Sequence, residues 1–338
     1  MRLNLTQLLC LFNWLPFTGI AQDLHFTQQY ANRLHLNPAY AGLHADYSGT
    51  FSYRNQWPKL QGAFVTNQFA GYYRLPNQHS SAGLVVSTDK AGEGGFAKFQ
   101  VGGQYAYQTI LSEKLAFSLG MQISYGSQRL DYSRLTFGDQ LNDDGTTNPN
   151  SQELNFYDPV RYLSVGTGGV IYNNNFWVSL AGHHLNRPVI GFNDASAYLP
   201  GKVILNGGYK FALKTYYYLN KPYEWSITPT FTYTQQGPFK KTDIALYTTY
   251  TPFTFGLLYR GLPGLSNYGY DQSVSILGGI GLNFWRIGYS YDIPLSPFGT
   301  RNGGAHEISL SFEKIDYNKI FKKRVSGKNY KRIALPSI

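Results

Sequence analysis

The chain reads as an all-β protein, an outer-membrane antiparallel β-barrel of about 14 strands, and three observations point there. Apolar and polar residues alternate with a period of two along most of the chain. Short connections alternate with mostly longer ones, as in a barrel with turns at one end and loops at the other. A secretory leader opens a chain whose residues are 14% charged and 17% aromatic, with no apolar run long enough for a membrane helix. A mean hydropathy of -0.30 agrees. So many aromatic side chains need burial in protein or lipid, which excludes a disordered chain.

The elements follow in order. Residues 1–21 read as a signal peptide: Arg2, an apolar stretch from Leu3 to Ile20, and Gly19-Ile20-Ala21 before the expected cut at Gln22. Cys10, the single cysteine, lies inside it without the small residue that precedes a lipoprotein cysteine. The mature chain then has no thiol, which excludes disulfides, cysteine nucleophiles and thiolate metal sites. Residues 22–42 are a periplasmic N-terminal segment whose Asn-Pro and Gly are turn chemistry, a lead-in that plugs or caps the barrel. Residues 43–314 are the barrel and 315–338 a basic periplasmic tail.

Within the barrel, Leu115, Phe117, Leu119, Met121, Ile123 and Tyr125 alternate with Ala116, Ser118, Gly120, Gln122, Ser124 and Gly126. The preceding segment sets Phe99, Val101, Tyr105, Tyr107 and Leu111 against Lys98, Gln100, Gln104 and Gln108, and the pair forms a tight hairpin. Trp225, Ile227, Phe231 and Tyr233, then Val274, Ile276, Ile280 and Leu282, Ile287, Tyr289 and Tyr291, and Ile308, Leu310 and Phe312 continue the pattern. Strands are expected to start near residues 43, 60, 80, 96, 115, 161, 176, 201, 223, 240, 253, 271, 286 and 305. Turns at 75–79, 112–114, 173–175, 251–252 and 283–285 alternate with loops at 131–159, 187–200, 261–270 and 294–304. A water-soluble sandwich shares the alternation of side chains, but it has no reason to sort its loops by end. In lipid every backbone amide needs a partner, so the sheet closes, the apolar face turns outward and the small polar face lines the interior. Gly168-Gly169, Gly207-Gly208 and Gly278-Gly279 fit curvature and close packing. Tyr72-Tyr73, Tyr216-Tyr217-Tyr218, Trp177, Trp225 and Trp285 are placed for interfacial girdles, and Pro229 suggests a bulge or a strand end.

Catalytic, cofactor and metal sites are not expected. His183 and His184 point to opposite sides of a strand and form no chelating pair. The stretch Asp139 to Gly145 lacks the alternate carboxylates and closing Glu of a calcium loop. Gly166-Thr167-Gly168-Gly169 is not followed by a helix, so it is no nucleotide fingerprint. A hydrolase would need a Ser or Asp near His183 or His306, and nothing identifies a nucleophile. With Arg2 removed, the mature chain carries 28 basic against 19 acidic residues, a charge of +9. From Lys314 onward eight basic residues face only Asp316, so the tail carries +7 and the body +2. Such a tail binds phospholipid headgroups or peptidoglycan nonspecifically, or docks on an acidic periplasmic partner. The compartment excludes nucleic acid.

Gln28-Gln29-Tyr30, Asn37-Pro38-Ala39-Tyr40-Ala41-Gly42, Tyr53-Arg54-Asn55-Gln56-Trp57, Tyr289-Ser290-Tyr291-Asp292 and Gly304-Ala305-His306-Glu307-Ile308-Ser309-Leu310 together resemble the PorP/SprF family of the type IX secretion system of Bacteroidota. The resemblance covers essentially the whole chain, with Ala305 where family members usually have Ser. It implies an outer-membrane barrel without enzymatic activity that works with the secretion and gliding machinery. The implied partners are a secreted adhesin's C-terminal domain, periplasmic secretion subunits or a peptidoglycan-binding protein, and outer-membrane lipid. Expected partner-binding residues are Asn37, Pro38, Tyr40, Gly42, Arg54, Trp57, Lys319, Lys322, Lys323 and Arg324, with cargo met chiefly by residues 131–159. The alternative is a passive or substrate-selective channel whose lumen Lys98, Gln100, Gln104, Gln108, Arg286 and Asp292 would line.

Overall fold

A computed structural model describes residues 23–314, apart from 77–78, 93, 113–114, 132–135, 142–150, 152–157, 193–196, 219–220 and 267–271. The leader, most of the 131–159 loop and the basic tail with Lys319, Lys322, Lys323 and Arg324 therefore lie outside the described residues.

The strands are β1 (Tyr47–Gln56), β2 (Phe64–Arg74), β3 (Ser80–Ala91), β4 (Phe96–Ser112), β5 (Leu115–Arg129), β6 (Val160–Tyr172), β7 (Phe176–His183), β8 (Lys202–Tyr209), β9 (Phe211–Tyr218), β10 (Lys221–Gln236), β11 (Phe239–Tyr250), β12 (Phe253–Arg260), β13 (Ser273–Leu282), β14 (Trp285–Pro294) and β15 (Ala305–Lys314). Each pairs antiparallel with its neighbours, and β1 pairs with β15 from Tyr47 opposite Lys314 to Gln56 opposite Ala305. β8 and β9 both pair with β10, so they form one stave, and the sheet closes as a 14-stave barrel. Closure leaves no edge, which is what hydrocarbon requires of a sheet.

The two faces are as the alternation predicts. Leu119, Met121 and Ile123 on β5 are 54 to 58% exposed, while Ser118 and Ser124 on the opposite face are buried. Trp225 and Trp285 face outward near one end. Trp177 does not join that girdle: it points inward, is 2% exposed and donates Nε1–H to Asn206 Oδ1 at 3.0 Å. Tyr72 also turns partly inward, where its hydroxyl accepts the Ala45 N–H at 3.1 Å. The irregularity expected at Pro229 sits in the partner stave. β10 is continuous, and the chain break at Lys210 falls opposite Thr228 and Pro229, where proline has no N–H to give.

The connections sort by end. At the end where β1 starts and β15 stops, no connection exceeds five residues, whereas the other end carries the loops 57–63, 130–159, 184–201, 261–272 and 295–304. β7 is short and covers β6 only over Thr167–Tyr172. Above it Asn186 stands in for a strand, donating Nδ2–H to Leu163 O at 2.8 Å and accepting Val165 N–H at 3.1 Å, while Leu185 N–H reaches Val165 O at 3.0 Å.

β1 starts four residues after the expected boundary at 43, because residues 23–46 lie inside the barrel. Asp23 meets Lys98, Lys202 and Gln236, all at strand ends on the long-loop side. Asp46 meets Arg74 at the short-turn side. The segment thus crosses the lumen from end to end, through a helical turn (Arg33–Leu36) and a 3-10 turn (Pro38–Tyr40), before the chain enters the wall.

Candidate functional site

The site is the contact between this internal segment and the wall. Its first half is polar. Thr27 is a hub: its Oγ1 donates to Asp292 at 2.8 Å and accepts from Arg54 Nη1 at 2.9 Å and Arg260 Nη2 at 3.1 Å. Arg54 Nη2 lies 2.7 Å from Asp292 and Nη1 3.2 Å from Glu307; Arg260 bridges Asp292 and Asp243 at 3.2 Å each. Glu307, fully buried, accepts the backbone N–H groups of Thr27 at 2.7 Å and Gln28 at 3.0 Å. Two cations and three carboxylates from β1, β11, β12, β14 and β15 are thereby buried around one threonine, each with a charged or hydrogen-bonding partner, as buried charges must be.

A second cluster holds Asp23. Its carboxylate takes Lys98 Nζ at 2.8 Å and His184 Nε2 at 2.5 Å, with Lys202 at 3.7 Å. Burial by itself would raise this carboxyl, but Lys98, His184 and Lys202 outweigh it and hold Asp23 well below the usual carboxylate range. Burial, reinforced by Lys202 and His183, lowers His35 from 6.5 to about 3; burial and the surrounding Lys241 and Arg260 likewise push His25 well down. Nearer the short-turn end, Glu313 gathers Arg33 at 3.4 Å, His44 at 3.2 Å and Arg286 at 2.8 Å.

The second half is apolar. Leu34, Ala39, Tyr40, Ala41 and Leu43 pack on Ala70, Val85, Ala106, Ala116, Val170, Tyr172 and Trp177. Two wall glycines make the room. A Cβ at Gly120 would land on the backbone of Pro38 and Ala39, and one at Gly168 on the Asn37 side chain. Asn37 is the joint between the halves and the wall: Oδ1 accepts Ala39 N–H at 2.8 Å and starts the 3-10 turn, while Nδ2 donates to Gly169 O at 3.1 Å and Leu180 O at 3.2 Å. Ser118, Gln104 and Gln108 donate to Ala39 O, Leu34 O and Ala41 O, and the Tyr40 hydroxyl donates to Asn206 at 2.7 Å.

Of the expected partner-binding residues, Asn37, Pro38, Tyr40, Gly42 and Arg54 are buried in this contact, so no partner reaches them while the segment is docked. Trp57 is half-buried at the long-loop end, edge-on to Phe64 and Phe298 at 5.2 Å. Lys98, Gln104, Gln108, Arg286 and Asp292 face the interior as expected, but each binds the segment or another wall residue rather than open lumen. The cavities left around the segment are small, about 140, 30, 30 and 20 Å³.

The histidine pair departs from expectation. β7 ends at His183, and His184 takes φ 55°, which turns its ring inward beside that of its neighbour. His183 Nε2 meets Leu36 O at 3.2 Å, while His184 links Ser164 Oγ at 2.7 Å to Asp23 at 2.5 Å. Sequence reasoning misses both Ser164 and Asp23, because no local spacing ties residues 23, 164 and 184 together. His306 meets Tyr289 at 2.8 Å. Among the described residues no group of three His, Cys, Asp or Glu is placed to hold a metal.

The five motifs that carry the family resemblance converge here. Gln28, Asn37, Arg54, Asp292 and Glu307 come from all of them, and Arg54 is 253 positions from Glu307. The family model of the type IX secretion system membrane protein PorP/SprF matches residues 18–312. The chain belongs to the PorP/SprF family. This PorP/SprF protein is a type IX secretion membrane component, and its closed barrel places it in the cell outer membrane. No curated protein shows significant sequence similarity to it. Solved barrels resemble it in outline: a Pseudomonas aeruginosa FadL homologue (12% identity, TM-score 0.44, 82% of this chain and 92% of that one), the P. putida toluene transporter TodX (12%, 0.40, 83% and 93%) and Omp33 of Acinetobacter baumannii (8%, 0.41, 80% and 99%).

Proposed function

We propose that this protein is a plugged outer-membrane anchor of the type IX secretion and gliding machinery, supporting export or surface attachment of a secreted adhesin and linking it to periplasmic subunits. The observation that carries this reading is the lumen filled by residues 23–46, which buried ion pairs tie to the wall from Asp23 to Lys98 and His184 at the long-loop end and from Arg33 to Glu313 and Asp46 to Arg74 toward the short-turn end. An open, passive channel has no use for such a filling. An anchor does, since it rigidifies a thin-walled barrel and gives the loops a fixed base.

Sorting of the connections supports cargo contact at the long-loop end, with residues 131–159 and Trp57, and periplasmic contact at the short-turn end and through the tail from Lys319 to Arg332. With Asp23 at the long-loop end, residues 23–46 stiffen the barrel and the tail makes the periplasmic link. No catalysis is assigned: the Ser164, His184 and Asp23 chain ties the segment to the wall, and esterase assays with Ser164→Ala as control are expected to read background for both proteins. Affinity purification from native membranes tests the main reading. The expected result is recovery of a secreted adhesin or periplasmic secretion subunits, the latter no longer co-purifying once residues 315–338 are deleted. Purification without them, combined with steady conductance in planar bilayers, would replace the anchor by the channel.

A further inference from the structure

A cavity of about 140 Å³ lies inside the barrel at the long-loop end, between the first half of the internal segment and staves β8, β10 and β11. It sits against the β10–β11 hairpin, whose two-residue turn is the shortest connection on that side. Leu24, Phe26, Ile204 and Phe239 form apolar walls, and the volume is close to that at which a dry cavity takes up a single benzene ring.

Two polar groups on this wall are available to a ligand: a buried amide N–H group without a partner and a buried ammonium whose one ion pair is long. Lys202 and Gln236 are directly opposed across β8 and β10, point inward and are 6% and 5% exposed. Gln236 Oε1 accepts Asp23 N–H at 3.0 Å, which fixes the amide so that Nε2 is the free end, and that buried Nε2 has no partner. The Lys202 ammonium is 3.7 Å from Asp23, beyond hydrogen-bond distance, while Asp23 is already held by Lys98 at 2.8 Å and His184 at 2.5 Å. The His25 ring also lines the cavity and stands among Lys241, Arg260, Arg54 and Lys202, so this wall is cationic. The two carboxylates on the cavity wall are otherwise engaged, Asp23 as above and Asp243 with Arg260 at 3.2 Å and Gln29 at 2.8 Å. A buried amide donor without an acceptor beside a buried ammonium, next to apolar walls, is a recognition element for an anion with an apolar body.

We propose that this cavity is a binding site for a small aryl or short acyl carboxylate, with the carboxylate on Lys202 Nζ and Gln236 Nε2 and the apolar group on Leu24, Phe26, Ile204 and Phe239. A carboxylate supplies two acceptor oxygens for two donors on neighbouring strands, whose side chains stand about 5 Å apart at Cβ. The site stands independently of the secretion role, since its ligand is bound by the barrel and the segment alone.

The test uses the full mature chain in lipid nanodiscs, with 3-(4-fluorophenyl)propionate as probe, read by fluorine NMR line broadening and titration calorimetry. Saturable binding of the acid is expected, at least tenfold tighter than that of its neutral amide, which partitions into lipid without needing the donors. Lys202→Met and Gln236→Leu, each checked for heat-modifiable migration as folded barrels, are expected to weaken the acid at least tenfold and to leave the amide unchanged. Equal binding of acid and amide by the native chain, or acid binding that survives both substitutions, overturns the proposal. Should either variant fail to fold, the acid and amide comparison on the native protein still decides.

Discussion

The two halves of the internal segment are held by different physics. From Asp23 to Arg33 the chain hangs on charges: Asp23 on Lys98 and His184, Thr27 and Gln28 on Glu307, Arg33 on Glu313. From Leu34 to Leu43 it is seated on small wall residues, with Gly120 and Gly168 leaving room for its backbone and for Asn37. Buried ion pairs are poor sources of net stability but costly to break one partner at a time. Close apolar packing is insensitive to charge and intolerant of added volume. The first half is therefore the releasable one and the second the fixed one, although both lie in the same lumen.

Removing one partner from the polar half has the largest expected effect. Glu307→Ala strips Arg54 of a counter-charge and two backbone N–H groups of their acceptor, and about 3–5 kcal/mol of docking is expected to be lost. Limited proteolysis would then cut near residues 23–32 while the barrel stays folded; resistance equal to the native chain would show that the cluster does not hold the segment. Overfilling the apolar half comes next. Gly120→Val drives a side chain into the Pro38 and Ala39 backbone and is expected to cost about 1–3 kcal/mol, read as faster amide exchange at residues 37–43 with the ion-paired half little changed. Exchange that spreads evenly over both halves would erase the distinction between them. Asn37→Ala, which removes the turn cap and two hydrogen bonds to the wall, is expected to cost about 1 kcal/mol or somewhat more, in the same assay.

Acid provides the mildest and most graded probe. His25 in the polar half and His35 just beyond it are both neutral when docked, the first pushed well below 6.5 and the second lowered to about 3, so the released segment binds extra protons and docking weakens as pH falls below 6.5. Asp23, held below its usual range, adds to the loss in the same direction once the pH drops below the ordinary carboxylate value of 3.8. Protease sensitivity of the polar half should then rise between pH 7 and 4. His25→Gln combined with His35→Gln should remove the upper part of that rise, and an unchanged profile in the double variant would assign the effect to other groups.

How much of this is legible in the sequence depends on whether the signal is local. Alternation places the strands β4, β5, β14 and β15 to within a residue at their starts, because a period of two is written in neighbouring positions. It also marks the inward face, down to Gln104, Gln108 and Asp292. It carries no sign of the meeting of Thr27, Arg54, Asp292 and Glu307, which is set by barrel closure and by a chain running inside the wall. Glycines within strands read as curvature, whereas Gly120 and Gly168 are seats for a backbone 80 and more positions away. Trp177 reads as a girdle residue because nothing in its neighbourhood announces Asn206 behind it. The motifs shared with the family are the one long-range signal, and each contributes a residue to the contact between segment and wall.

The central claim is that residues 23–46 fill the lumen of the mature protein. With Cys10 in the expected leader, the mature chain is thiol-free, so a single introduced cysteine reports alone. Ala39 is fully buried between the segment and the wall, whereas Pro58 is exposed in the 57–63 loop. Labelling of Ala39→Cys with a water-soluble maleimide in intact outer membranes is expected to be at least a hundredfold slower than that of Pro58→Cys and to become equal on denaturation. Equal rates in the native membrane would mean that the segment lies outside the barrel, and the account of a plugged anchor would be wrong.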